Sequence, residues 1–153
     1  MPNKTRRKYN IPVSGSTKAE NAKYVIKSKG VPFYNLHPYF SFRYYDKDNH
    51  DFTVEKFQGI KDFKKFFTRL YEISQETWKD ILITKKEFYH AHEVDWEDTS
   101  CKNGFHHLPK NLCELAAYQF EIFEECRIFG FFNHNNVFKV VWIDRDHIVY
   151  PRK

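Results

Sequence analysis

The chain has 153 residues, 25 Lys and Arg against 20 Asp and Glu, and an aromatic share of 19%. That is one domain's worth of chain, long enough to bury a core, and its rings let few residues fill one. No apolar run approaches the roughly 20 residues of a membrane-spanning helix, the basic N-terminus has no apolar stretch of a secretory signal behind it, and three scattered cysteines, Cys101, Cys113 and Cys126, fit reduced thiols in a cytoplasmic protein rather than a disulfide frame.

The charge is unevenly placed. Residues 1–30 hold eight bases, among them Lys4, Arg6, Arg7 and Lys8, against the single acid Glu20. The other 123 residues hold 17 bases and 19 acids. Pro2, Pro12, Ser14, Gly15, Ser16 and Gly30 interrupt the same stretch. We therefore expect a flexible basic N-terminal arm over 1–30, whose partner is nucleic acid or an acidic protein, and one domain over 31–153. Within the arm, Ala19–Lys29 has the makings of a short helix.

In the domain, Phe40–Tyr45 alternates as a strand, Asp46–His50 supplies turn residues, and 52–57 is expected to return as a second short strand. Phe63, Phe66, Phe67, Leu70, Ile73, Trp78, Ile81 and Leu82 recur at three- and four-residue spacing, which predicts helix over 62–73 and again over 75–84, with Ser74 as cap of the second piece and Glu76 in its first turn. Residues 85–112 read as a polar loop with a short strand around Phe88–His92. Tyr118–Ile122, Arg127–Phe132 and Val137–Ile143 read as three strands, joined by short connections into an antiparallel meander. Asn133–Asn136 is turn material. The fold class is α+β: a small antiparallel sheet (strand, two helices, three-stranded C-terminal meander) with the helices on one face.

Three clusters of chemistry-bearing side chains carry two readings each. His90 and His92, with Cys101, His106, His107 and Cys113, would give a metal pair if 90–92 were a strand; an exposed polar loop is the plainer account, since no Cys-x-x-Cys or regular His spacing is present. Glu93, Asp95, Glu97 and Asp98 surround Trp96 as catalytic carboxylates, as a dock for the basic arm, or as a solvated loop. Glu121, Glu124 and Glu125 would form a charged edge that discourages strand-to-strand aggregation.

The last strand runs into Asp144-Arg145-Asp146-His147-Ile148-Val149-Tyr150. As plain structure, Asp144–Asp146 is a turn whose carboxylates accept from backbone donors, and Tyr150 folds back over the sheet edge. As a site, the tail joins Arg127-Ile128-Phe129-Gly130-Phe131 and Val137-Phe138-Lys139-Val140-Val141-Trp142-Ile143 in a pattern of arginine-bearing strand, turn, apolar strand and His/Arg-then-Tyr tail. With the element order upstream, this resembles the RelE/ParE toxin superfamily. Trp142-Ile143-Asp144 and His147-x-x-Tyr150 are also similar to the endings of small uncharacterised proteins of bacterial mobile elements, which imply no activity.

The RelE-like resemblance implies an endoribonuclease of a toxin–antitoxin module, with RNA or the ribosome as target, an antitoxin as acidic partner, and neither cofactor nor metal. Cleavage through the 2′-hydroxyl needs a base, an acid and a cation. Arg127 and Arg145 would hold phosphate. His147 would move a proton, and Tyr150 would stack on a base or share in proton transfer. If the tail were extended, Arg145 and His147 would share a side. Lys102 and Lys110, in the preceding loop, join Lys4, Arg6, Arg7 and Lys8 as nucleic-acid-binding candidates. The alternative is a non-catalytic protein-interaction module of a mobile element.

Overall fold

A computed structural model of the chain describes residues 33–134 and 137–151. The arm with Lys4, Arg6, Arg7 and Lys8, the expected helix Ala19–Lys29 and the second half of the expected Asn133–Asn136 turn lie outside the described residues, while its first half, Asn133 and His134, is strand.

The architecture is α+β. Among the described residues the strands are β1 (Tyr39–Ser41), β2 (His92–Glu93), β3 (Ala117–Phe123), β4 (Cys126–His134) and β5 (Val137–Asp144), and the α-helices are α1 (Ile60–Gln75), α2 (Lys86–Tyr89) and α3 (Lys110–Cys113). The strands form one sheet in the order β1-β5-β4-β3-β2. The β3-β4-β5 meander is antiparallel as its short connections require. The sheet as a whole is mixed, because β1 pairs parallel with β5, Tyr39 beside Val137 and Ser41 beside Lys139. This corrects the all-antiparallel expectation: β1 is delivered to β5 across the whole intervening chain, and a long crossover permits parallel pairing where a tight turn does not.

α1 follows the apolar stripe that predicted it. Phe66, Leu70 and Ile73 are buried on the sheet, while Ile60, Phe67 and Tyr71 are exposed on the outer side. Asp62, in its first turn, accepts from the Gln58 backbone N–H at 2.8 Å, satisfying a donor just ahead of the helix. The second helical piece does not start at Ser74, whose hydroxyl instead donates to the Tyr71 carbonyl. It starts at Thr77, in a reciprocal cap: the Thr77 N–H donates to the Asp80 carboxylate, and the Asp80 N–H to the Thr77 hydroxyl. From there Asp80–Thr84 winds as a π-helical segment, and α2 follows it. The expected second strand over 52–57 is a 3-10 turn, Val54–Lys56, capped by Thr53. The expected strand Phe88–His92 contracts to β2, because α2 runs to Tyr89 and His90 turns the chain.

Two cores lie on the two sheet faces. On the α1 face, Trp78, Phe120, Ile122, Phe132 and Phe138 pack with the helix, and each fully buried large side chain is worth about 1.5–3 kcal/mol of burial. On the other face, Phe52, Val94, Trp96, Phe105 and Val149 cover Phe129, Phe131 and Trp142. The stretch 85–112 is therefore more than a polar loop: its scattered rings close the second face. Gly130 sits at a β-bulge where a side chain is impossible, since a Cβ there would meet the Lys139 carbonyl oxygen at 2.0 Å.

Glu121, Glu124 and Glu125 do not form a free edge. β2 and β4 flank β3, Glu121 pairs with Arg127 at 3.2 Å, and Glu124 pairs with Lys65 and Arg145. The edges of the sheet are instead β1 and β2, of three and two residues, and such short edges offer little template for further pairing.

Candidate functional site

β5 ends at Asp144, and the chain turns there because the Asp144 carboxylate, itself buried, accepts from the backbone N–H groups of Ile148 at 2.9 Å and Val149 at 2.8 Å. Burial pushes the Asp144 carboxyl above the usual carboxylate range, against the pull of those two donors. The tail is thus a built loop, not an extended strand, and the expected alternation of Arg145 and His147 fails. Arg145 swings to the α1 face, where its Nε donates to Asp62 at 2.7 Å and its Nη2 to Glu124 at 3.3 Å, with the guanidinium 5.1 Å from the Phe123 ring centroid. Its fork is spent on holding α1 to the sheet.

The other three residues singled out in the C-terminal ribbon do come together. Arg127, His147 and Tyr150 line one cleft of about 240 Å³ with Lys86, His90 and His92; Gln119 closes its wall. β4 brings Arg127 there, the Asp144 loop brings His147 and Tyr150, and the α2–β2 corner brings the remaining groups. Lys102 and Lys110 do not line it: Lys102 donates to the Glu97 carbonyl and lies 3.8 Å from its carboxylate, and Lys110 lies 3.8 Å from Glu114, one helical turn away.

The cleft holds its imidazoles in a defined form. The His147 Nδ1 lies 2.5 Å from the Tyr150 carbonyl oxygen, and the His92 Nδ1 lies 2.7 Å from the Glu93 carbonyl oxygen. A carbonyl only accepts, so each Nδ1 carries hydrogen and donates, leaving Nε2 as the basic atom of the neutral ring. His90 places Nε2 3.4 Å from Glu121. The backbones of His90 and His147 are left-handed, at φ 45° and 58°, a conformation that costs a residue with a Cβ about 1–2 kcal/mol. Two such residues in one cleft mark it as a place where the fold accepts local strain.

Arg127 stands 8% exposed. Its Nη1 donates to the Glu124 and Cys126 carbonyls at 2.9 and 3.3 Å, and its Nη2 pairs with Glu121. Among the described residues its Nε and the Gln119 Oε1 are buried without a hydrogen-bond partner, so both residues carry unmet hydrogen-bonding capacity at the cleft wall. Burial lowers the Arg127 pKa against the opposing pull of Glu121. Arg127 therefore acts as a fixed positive wall rather than as a free clamp. Lys86, exposed at the cleft and without an ion pair among the described residues, is its solvent-facing cation. Tyr150 closes one side: its hydroxyl accepts from the Asp95 N–H at 3.2 Å, and its ring stacks 6.4 Å from Phe129 and meets His92 edge-on at 5.5 Å. Burial raises its phenol pKa.

The sequence reading missed Lys86 and assigned His90 and His92 to a different partner set. Their signal was present as a histidine pair two residues apart; what was invisible was that the α2–β2 corner turns them toward the tail. His106 and His107 lie elsewhere: His107 stacks 6.3 Å from Trp142 and lies 3.6 Å from Asp46, and burial lowers its pKa against the pull of Asp46. Among the described residues no group of three or more His, Cys, Asp or Glu side chains is placed to hold a metal ion. In the acidic segment, Asp95 accepts from the Glu97 N–H and caps the turn Trp96–Asp98. Nor is any described helix long and apolar enough to cross a membrane.

No curated protein and no solved structure matches the chain. Residues 38–153, about three quarters of the sequence, match the model of one family. The chain thus belongs to the family described as Uncharacterised protein UU032.

Proposed function

We propose that this protein is a toxin-like endoribonuclease whose own side chains carry the proton transfers. The observation behind the reading is the single cleft that gathers two imidazoles with basic Nε2 atoms, a buried guanidinium, an exposed lysine and a tyrosine. His147 Nε2 takes the proton of an RNA 2′-hydroxyl, and the freed oxygen attacks phosphorus. The bond from phosphorus to the 5′-oxygen breaks, and that oxygen takes a proton from the His92 imidazolium. The products are a 2′,3′-cyclic phosphate and a 5′-hydroxyl. Lys86 neutralises charge on the non-bridging oxygens, and Tyr150 offers its ring to the neighbouring base.

Induced expression in bacteria should arrest growth, and the purified protein should leave cyclic-phosphate ends on RNA. His147→Ala and His92→Ala should each cut the rate by about 100-fold or more while retaining the parent fold by circular dichroism. A well-folded parent that leaves RNA intact under these conditions overturns the reading.

A second reading, a protein-interaction module without turnover, is favoured by the outer face of α1, where Ile60, Phe67 and Tyr71 are exposed at helical spacing. On that reading Phe67→Ala removes partner binding and His147→Ala does not.

A further inference from the structure

The cleft does not stand alone. A groove of about 890 Å³ runs along the end of α1 and the π-helical segment and shares Lys86 and Glu87 with the cleft. A second groove, of about 350 Å³, follows the flank of α1 and shares Arg69 and Glu72 with the first. Through these shared walls the three concavities follow one another as a path from the N-terminal half of α1 to the histidines.

The path has the chemistry of a polyanion track. Its far end is lined by Lys61, Lys64, Lys65 and Arg69 against the one acid Glu72. Lys65 pairs with Glu124 and Arg69 with Glu72, while Lys61 and Lys64 are exposed and have no ion pair among the described residues. The middle stretch adds Lys85 and Lys86 and the acids Glu76 and Glu87, and Lys85 already neutralises Glu76. Here Phe88 stands 61% exposed, with the Arg69 guanidinium 5.2 Å from its ring centroid. An exposed ring beside a guanidinium is costly to leave in water and suited to stacking on a flat heteroaromatic base.

We infer that the path binds single-stranded RNA, with the α1 lysines following the phosphates, Phe88 stacking on an unpaired base, and the strand delivered to the histidine cleft; this rests on the reading of the cleft as an RNA site. A duplex has its bases stacked inward and cannot offer one to Phe88, so the track selects for single strands.

The test is fluorescence anisotropy of a short labelled single-stranded RNA, alone and annealed to its complement, against the full chain and three sets of variants. Lys61→Glu with Lys64→Glu should weaken single-strand binding by about tenfold or more and flatten its salt dependence. Phe88→Ala should weaken it by about fivefold or more. Lys110→Glu, at an exposed lysine outside all three concavities, should bind as the parent does. Equal affinity for duplex and single strand, unchanged binding in the lysine and Phe88 variants, or no RNA binding at all overturns the track. RNA bound with these sensitivities but left uncleaved keeps the track and overturns the cleavage reading; RNA cleaved normally by the lysine and Phe88 variants does the reverse.

Discussion

Arg145 gives the sharpest test of the structural assignments, because the RelE-like resemblance implied a phosphate ligand and the fold makes it a clasp. Its guanidinium and the Asp62 carboxylate meet at 2.7 Å, with side chains 10% and 5% exposed. Removing one partner of such a pair leaves the other charge buried, which costs about 3–5 kcal/mol. Glu124 also touches Arg145, at 3.3 Å with its side chain 53% exposed, but a half-solvated acid compensates little. We expect Arg145→Met to cost about 3 kcal/mol, which is a fall in Tm of roughly 6–12 °C for a chain of this size. Asp62→Leu with Arg145→Met should recover most of that loss, because no lone charge remains. The pH dependence follows the same pair. Burial works against ionisation of Asp62, but the Arg145 hydrogen bond and the Gln58 N–H outweigh it, so its pKa lies below the usual carboxylate value. A carboxyl depressed in the folded state stabilises at pH above its unfolded pKa, and that contribution is lost as pH falls through the folded value. Urea titrations monitored by circular dichroism, at neutral pH and through the acid range, measure both effects. An Arg145→Met protein with parent stability and an unaltered acid limb would refute the clasp.

Three further outcomes follow. His90→Gly should raise Tm by a few degrees in a thermal melt, since it relieves a left-handed φ of 45° at the end of α2 and gives up only a long contact to Glu121, which stabilises by about 1 kcal/mol at most; a lower Tm would mean that His90 is not strained. Gly130→Ala should fail to fold or lose more than about 3 kcal/mol in denaturant titration, because its Cβ meets backbone that cannot retreat. Thr77→Ala should cost about 1 kcal/mol through loss of the reciprocal cap with Asp80, and thermal melts of Thr77→Ser, which keeps the hydroxyl, should retain most of it.

What could be read from residue order was what depends on local periodicity. The Phe66–Leu70–Ile73 stripe identified α1, and the alternation and β-branched runs from 117 onward identified the meander. The parallel partner of β1 was hidden, since nothing in Tyr39–Ser41 names a strand about a hundred positions away. Trp96 and Phe105 were read as loop residues because they lack any period, although they close a core. Of the ribbon residues singled out by type, Arg127, His147 and Tyr150 share a cleft. Arg145 left the group because Asp144 binds two backbone donors and breaks the alternation that would have kept Arg145 and His147 on one side. Lys86, His90 and His92 joined it through the α2–β2 corner, which only the folded chain brings close.

The parallel partnership of β1 and β5 also shapes how the molecule is made. Phe40 leaves the ribosome about a hundred residues ahead of Phe138, the residue beside it in the sheet. Until then the aromatic strand has nowhere to dock, and closing so wide a loop is slow. The nascent polypeptide therefore waits with sticky surface uncovered until β5 has been made, a period in which a chaperone gains its opportunity.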